Sequence, residues 1–539
     1  MFKSFLGIRP PWPRVHPRAR YVYGCLFLMV VCWGAALEAG TRRYRVTFGS
    51  DPATAVNIGF ELYDATSVRV VYDVVDHGRN AAAYRFTATP GRQVNHAGMR
   101  NVFVRLAGLQ PATRYYFLVV DDRGSSPPMS VETPPDQPGA PLSIIAGGDS
   151  RNNRETALLA NRLVAKLRPH FVLFGGDMTA GDTPREWQQW LDDWQQTTSA
   201  DGRLTPIVPA RGNHERANAS IANLFDLPNP DVYYALTFGG GLLRTYTLNT
   251  LAPPGGDQLQ WLNRDLSRTR TVWKMAQYHH AMRPHTAAKP ERDELVTLWA
   301  SQFTRYGMDL VVESDAHTVK QTYPIRPSRE PGSTQSFIRD DQRGTVYVGE
   351  GCWGAPLRAN NDDKPWTRAS GRFNQFKWIW VDDKQLQVRT VDISRSAYVT
   401  AENTSAGRFQ TPPGLVVWNA PNTGEVLRLS PRSPAPGAGG TTRFSPQPTT
   451  IGNADPVSPA LLRRTSAGKV RVSFRMPTAG QPEIMVVGPG MRLLHAKKLR
   501  TRGPGPYNEE VQLPNLPLNV ALELVVKANG KVIAKYNLR

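Results

Sequence analysis

The sequence predicts an α/β core flanked by two all-β modules. Three observations predict it. Short alternating runs of β-branched and aromatic residues fill positions 41–134. From Leu142 onward, apolar runs ending in Gly and Asp alternate with runs of helical periodicity. After a stretch rich in Pro, Gly and Ser, short strand-like runs return at 469–539. Strands that end in polar residues and are separated by helices make a layered α/β domain, whereas period-2 runs broken by turn residues make a sandwich. The 539 residues are 40% hydrophobic and 9% aromatic, enough for several packed cores, which argues against both long-range disorder and a polytopic membrane protein. Gly and Pro, at 45 each, favour turn-rich β-modules.

Residues 1–40 come first. Lys3, Arg9, Arg14, Arg18 and Arg20 precede an apolar run from Tyr21 to Ala36, and small residues follow at Ala35, Ala36 and Ala39. A basic start, an apolar centre and a small-residue end describe a secretory signal. At about 16 residues the run lies between a signal core and a full span, so an uncleaved N-terminal anchor is the rival reading and a buried helix a third. Signal and anchor both keep the basic end inside and export everything beyond residue 40. Cys25 and Cys32 lie in this segment. The exported body then holds Cys352 alone, so it has no internal disulfide, and Cys352 reads as a small buried hydrophobe.

Residues 41–134 carry RYRVTF, SVRVVYDV, NVFVRLAGL and YYFLVV. The segment VRLAGLQPATRYYFLVV, with Pro111 and Thr113 setting a turn before Tyr115, resembles the leucine–turn–tyrosine closure of a fibronectin type III-like module. Pro134–Pro141 reads as a linker. The α/β domain then spans 142–398. In it LSIIAGGD, HFVLFGGD, LTPIVPARGNH, WKMAQYHH, MDLVVESDAH and GTVYVGEG read as strands, and ETALLANRLVAKL and REWQQWLDDW as helices. Residues 399–468 read as a linker with its Pro/Gly/Ser-rich part, and 469–539 as a second β-module.

Several of those strands end on metal-ligand types: Asp149, Asp177, Asn213, His214, His279, Asp315 and His317. Singly, an Asp after a strand is commonly a helix cap or turn residue, and a lone His a packed or surface one. Their joint order is harder to reach by accident. Strand–Asp, strand–Asp, strand–Asn-His, strand–His and strand–Asp-X-His collect carboxylate, amide and imidazole donors at one sheet edge, where open α/β sheets bind ligands. That donor set suits hard to borderline metal ions, and a shared carboxylate can bridge two of them for phosphoryl hydrolysis.

On GGDSR, GGDM, GNHE, YHH and SDAH the chain resembles the calcineurin-like metallophosphoesterases, near the purple acid phosphatase branch with its N-terminal β-sandwich, over roughly residues 45–395. The resemblance implies a four-layer β-sandwich flanked by helices, with N- and C-terminal all-β sandwich modules. It implies that Asp149 binds the first metal, that Asp177 bridges both, that Asn213 and His279 bind the second, and that His317 returns to the first. It implies that His214 faces the leaving group, as general acid or as stabiliser of the phosphoryl oxygens, while a metal-bound hydroxide attacks phosphorus. Three positions depart from the family pattern. Asp315 stands where a histidine on the second metal is usual. Ala180 replaces the iron-binding tyrosine, so no purple ferric-tyrosinate site is expected. Arg151 replaces a histidine, which leaves the first site short of donors and offers either a bidentate clamp for phosphate or an ordinary ion-paired arginine. The expected cofactors are one or two ions of Fe, Mn, Zn or Ca. His280 reads equally as a substrate contact or as packing; His285 and Glu215 carry less signal. GEGCWGAPLR (349–358) resembles the Gly-rich loop that closes such sites, and equally makes a plain turn.

The formal charge of +20 invites a nucleic-acid reading, but its distribution does not support one. The excess sits at the two ends, in residues 1–20 and in 431–539, rather than over the α/β domain. RLLHAKKLRTR (492–502) offers either a solvated face or a patch for an anionic surface. Aromatics do not interleave with its bases, and no specific nucleic-acid module is present. The sequence therefore points to an exported metal-dependent phosphoesterase acting on a phosphorylated small molecule or polymer. The alternative is a degenerate relative of such enzymes serving as a cell-surface binding scaffold.

Overall fold

A computed structural model describes residues 40–432 and, beyond them, seven strands with short flanks between residues 462 and 538. The apolar run Tyr21–Ala36 and the Pro/Gly/Ser-rich stretch after 432 lie outside the described residues.

Two sheets form the centre. One has six strands in the order Ile207–Pro209, Phe171–Phe174, Leu142–Gly147, Gln375–Val381, Leu386–Asp392, Leu427–Leu429. The other has seven, in the order Tyr234–Phe238, Leu243–Thr247, Trp273–His280, Leu310–Ser314, Val346–Gly349, Val319–Thr322, Thr367–Gly371. The first three strands of the six are parallel, as are the four from Leu243 to Gly349; the rest are antiparallel. The parallel strands are buried on both faces, which is why LSIIAG, FVLF and LVVES read as unbroken apolar runs or nearly so.

The inner faces of the two sheets share one core containing Ile144, Leu173, Val208, Leu236, Met275, Leu310 and Val348. Helices Arg154–Leu167 and Pro184–Trp194 cover the outer face of the six-stranded sheet. Helix Gly256–Arg268 and the helical segment Asp293–Tyr306 cover the outer face of the other. The order helix–sheet–sheet–helix is the four-layer sandwich. Helix starts are set locally: Asn153 caps the first helix, and Thr183 with Glu186 forms a capping box ahead of Pro184 on the second.

Residues 41–132 form two four-stranded antiparallel sheets. The turn before Tyr115 is closed by the Tyr115 hydroxyl, which accepts from the Gln110 amide at 2.8 Å, and by Thr113, which donates to the Pro111 carbonyl. Although Pro134–Pro141 has the composition of a linker, the module is docked. Phe48 lies edge-on to Phe171 and Phe238, and both regions share one apolar core. Residues 399–432, with the polar texture of a linker, also pack down. Arg408 pairs with Glu132 at 2.6 Å, Arg432 with Asp309 at 3.2 Å, and Leu427–Leu429 adds an edge strand to the six-stranded sheet. At the C-terminus the seven strands form antiparallel sheets of three and four. Leu493–Lys498, within the basic run, pairs with Pro482–Val487.

Candidate metal centre

Loops at the carboxyl ends of the parallel strands of both sheets meet at one place, and they carry every candidate named from the sequence. Asp149 follows Leu142–Gly147, Asp177 follows Phe171–Phe174, and Asn213 and His214 follow Ile207–Pro209. His279 ends Trp273–His280, and Asp315 and His317 follow Leu310–Ser314. Asp149, Asp177, Asp315 and His317 all hold left-handed backbone, with φ between 55° and 68°. Non-glycine residues adopt that conformation at a cost and only where the surroundings enforce it.

The enforcement is visible. Glu215, fully buried, accepts from the amides of Asp177 (2.9 Å), Met178 (2.7 Å) and Gly212 (2.7 Å), tying the second and third loops together. The Gly-rich segment locks the first loop: Gly354 and Ala355 donate to the Asp149 carbonyl at 2.9 and 2.8 Å, and Trp353 to that of Gly148. Gly351 (φ 73°) must be glycine, because a Cβ there would strike the Asp149 carboxylate. This segment therefore closes the site rather than making a plain turn.

Two histidines define the polarity of the centre. His279 Nδ1–H donates to the Gly175 carbonyl at 2.8 Å, across from one sheet to the other. Its Nε2 then faces Asn213 Oδ1 at 3.1 Å, Asp177 Oδ1 at 3.3 Å and Asp315 Oδ1 at 3.7 Å. His317 Nδ1–H donates to the Pro356 carbonyl at 2.8 Å, and its Nε2 faces Asp149 Oδ1 at 3.0 Å. A carbonyl only accepts, so in a neutral ring the other nitrogen carries a lone pair. Lone pairs pointed at carboxylate oxygens in a buried site require a proton or a metal cation between them. The groups Asp149, Asp177, His279 and His279, His280, Asp315 each gather their ligand atoms within 4.8 Å. The donor chemistry thus fits a metal ion, and His280, 8% exposed, belongs to the cluster.

The electrostatics agree. Burial alone would lower His279, but Asp177, Asp149 and Asp315 outweigh it and hold it up at about 10. Burial raises Asp177, yet His279 and the His214 amide pull it well below the usual carboxylate range. Asp315 is lowered likewise: burial opposes, and His279 and Lys289 prevail. His280 is pushed down to about 3, by burial first and then by repulsion from His279. Burial and the Asp177 charge raise Glu215 to about 7.

Three cations adjoin the cluster. Arg151 Nε donates to Asp177 Oδ2 at 3.0 Å, Lys289 pairs with Asp315, and Arg358 donates to the Asp315 carbonyl at 2.7 Å. His214 stands at the rim, 30% exposed; its Nδ1–H donates to the Ala180 carbonyl at 2.5 Å, and its Nε2 lies 3.8 Å from Asp177 Oδ2. His285 lies apart, fully buried, bonded to Thr367 and Glu350. Cys352 is buried, donates to the Thr318 carbonyl, and has its thiol pushed up by burial. Sequence reading passed over Lys289 and Arg358 and gave Glu215 little weight. Glu215 had a signal, its place in GNHE; Lys289 had none.

Comparison with known proteins bears on the family and fold of the central domain. Residues 148–319 match the family model described as calcineurin-like phosphoesterase. Two uncharacterized proteins of Mycobacterium tuberculosis are each 25% identical over 334 residues, covering 50% of this chain and 59% of theirs. The match thus spans under two thirds of those relatives. Among solved structures, a purple acid phosphatase from yellow lupin (Lupinus luteus) seeds superposes with TM-score 0.57 at 14% identity, over 76% of this chain and 78% of its own. PhoD superposes with TM-score 0.51 at 14% identity, over 74% of this chain and 94% of its own. Both likenesses are of fold.

Proposed function

We propose, for a chain whose central domain is that of a calcineurin-like metallophosphoesterase, hydrolysis of phosphate mono- or diesters outside the cytoplasm. The observation that carries this reading is the pair His279 and His317, each tied through Nδ1 to a backbone carbonyl and each aiming Nε2 at carboxylates. Asp177, Asn213, His279 and Asp315 would hold a metal ion, with Asp149 and His317 beside it. A bound ion supplies Lewis-acid stabilisation of charge on phosphorus and an acidified water.

The protein's own groups do the rest. Arg151 and Lys289 set positive charge on both sides of the cluster and draw in an anionic ester. The Ala180 carbonyl fixes the His214 tautomer, so Nε2 faces the cleft; as imidazolium it gives its proton to the departing alkoxide. The loops locked by Glu215 and Gly351 keep the carboxylates from reorganising during the reaction. Export rests on the basic and apolar N-terminal segment; the basic run 492–502 is the candidate contact with an anionic surface.

The test is metal analysis together with turnover of aryl phosphate mono- and diesters by wild type and Asp177→Ala. Bound metal with turnover, lost in Asp177→Ala, supports the enzyme. An intact fold with neither metal nor turnover favours the binding scaffold. A reporter joined to residues 1–40 that stays in the cytoplasm ends the export reading.

A further inference from the structure

We infer that the centre holds a single metal ion, and that the Arg151 guanidinium is the fixed cation at the first metal position. The inference deepens the phosphoesterase reading and rests on it for the ion's chemical role, but not for the ion count.

The observations are geometric. Asp149, Asp177 and His317 are the donors assigned to the first position, and Arg151 engages two of them. Its Nε donates to Asp177 Oδ2 at 3.0 Å, and a terminal nitrogen lies 3.5 Å from His317 Nε2, itself 3.0 Å from Asp149 Oδ1. The other terminal nitrogen donates to Asn152 Oδ1 at 2.6 Å, which orients the fork. The Arg151 side chain is 10% exposed and that of Asp177 0%, so the pair is not a solvated surface contact. Guanidinium keeps its charge at any working pH and bonds through fixed planar geometry, so it is a permanent competitor for those donors. Removing it would take the one arginine from a fully buried carboxylate and leave Asp177 to His279 and His214.

The second position differs. Asn213 Oδ1, Asp177 Oδ1 and Asp315 Oδ1 surround His279 Nε2, and the cation there, Lys289, engages one of these donors, Asp315 Oδ1, through a single ammonium on a flexible stem, where Arg151 engages two through a rigid fork. Charge balance points the same way. Asp149, Asp177 and Asp315 bring three negative charges, of which the two cations paired to carboxylates, Arg151 and Lys289, offset two, while Arg358 meets only the Asp315 backbone carbonyl. One divalent ion leaves the site slightly positive, ready for an anionic ester. A second would place a large excess of positive charge in a buried space. Arg151 thereby faces substrate as well, on the side of Asp177 away from the ion.

The experiment titrates the full-length protein with Mn2+ and reads metal per chain by elemental analysis, with electron paramagnetic resonance on the same samples. Wild type should saturate at about one ion with the six-line spectrum of an isolated Mn2+. Arg151→His and Arg151→Ala should each take up about one more and show an exchange-coupled spectrum. Wild type saturating at two coupled ions overturns the inference, as do both variants remaining at one. One ion bound without ester turnover sinks the catalytic reading and leaves this inference standing; no ion bound at all sinks both.

Discussion

Two charged regions lie a few residues apart in the chain and obey opposite rules. Where the N-terminal module meets helix Asn218–Phe225, donors face acceptors and the carboxylates Asp226, Glu61 and Asp192 face arginines. Arg45 donates to the Leu224 carbonyl at 2.6 Å, and Thr47 to that of Phe225 at 2.9 Å, so the module supplies donors to carbonyls that the helix end leaves unpaired. Asp226 pairs with Arg105 at 2.9 Å and Arg92 at 3.3 Å, and Arg43 bridges Glu61 and Asp192. In the metal centre, reached from the same helix through the GNHE loop, acceptors face acceptors. The difference separates cement from site. Satisfied charges hold two modules together, whereas acceptors held against one another by a rigid scaffold create a demand that a cation meets.

Asp177→Ala should break the comparison most sharply. It removes the carboxylate common to His279, Arg151 and His214, and turnover should fall by about 10³-fold or more while circular dichroism stays native. A folded, fully active variant would remove Asp177 from the centre. Asp226→Ala attacks the other region. Losing a buried carboxylate whose two arginine partners are themselves 30% and 57% exposed should cost about 1 kcal/mol in denaturant unfolding, with turnover per folded molecule unchanged.

Lys377 sharpens the contrast from between the two extremes. It is fully buried, its ammonium reaches Thr390 Oγ1 at 3.0 Å, and no salt bridge among the described residues includes it. Burial lowers it to about 7. Its folded value lies below its unfolded one, so between about pH 7 and 10 the unfolded chain binds a proton that the folded chain does not. Stability should therefore rise with pH across that window. Lys377→Met should flatten the rise and gain on the order of 2 kcal/mol at pH 6. An unchanged pH profile would place the charge elsewhere.

The sequence made the layered core legible because parallel strands buried on both faces leave continuous apolar runs, and it made the ligand set legible because each donor follows such a run. It hid the rest for a physical reason: the deciding contacts join residues far apart in the chain and ordinary in composition. Lys289 meets Asp315, Arg43 meets Asp192, and Arg408 meets Glu132 only once the sheets are assembled. Residues 399–432 look like linker until Arg408 reaches Glu132 and Arg432 reaches the buried Asp309. Arg151 was visible as a departure from the pattern, but its inward aim between Asp177 and His317 was not.

The left-handed backbone at Asp149 has a practical corollary. Asparagine tolerates that conformation better than most residues, and an amide at this position would accept from the Asp315 amide while donating to His317 Nε2, where the carboxylate now meets a lone pair. Asp149→Asn should therefore melt several degrees above wild type when both are freed of metal, and the order should narrow or reverse when metal is restored. A metal-free melt below that of wild type would refute this. The thermal robustness of the protein would then depend on metal supply, which makes the melting temperature a gauge of how fully the centre is loaded.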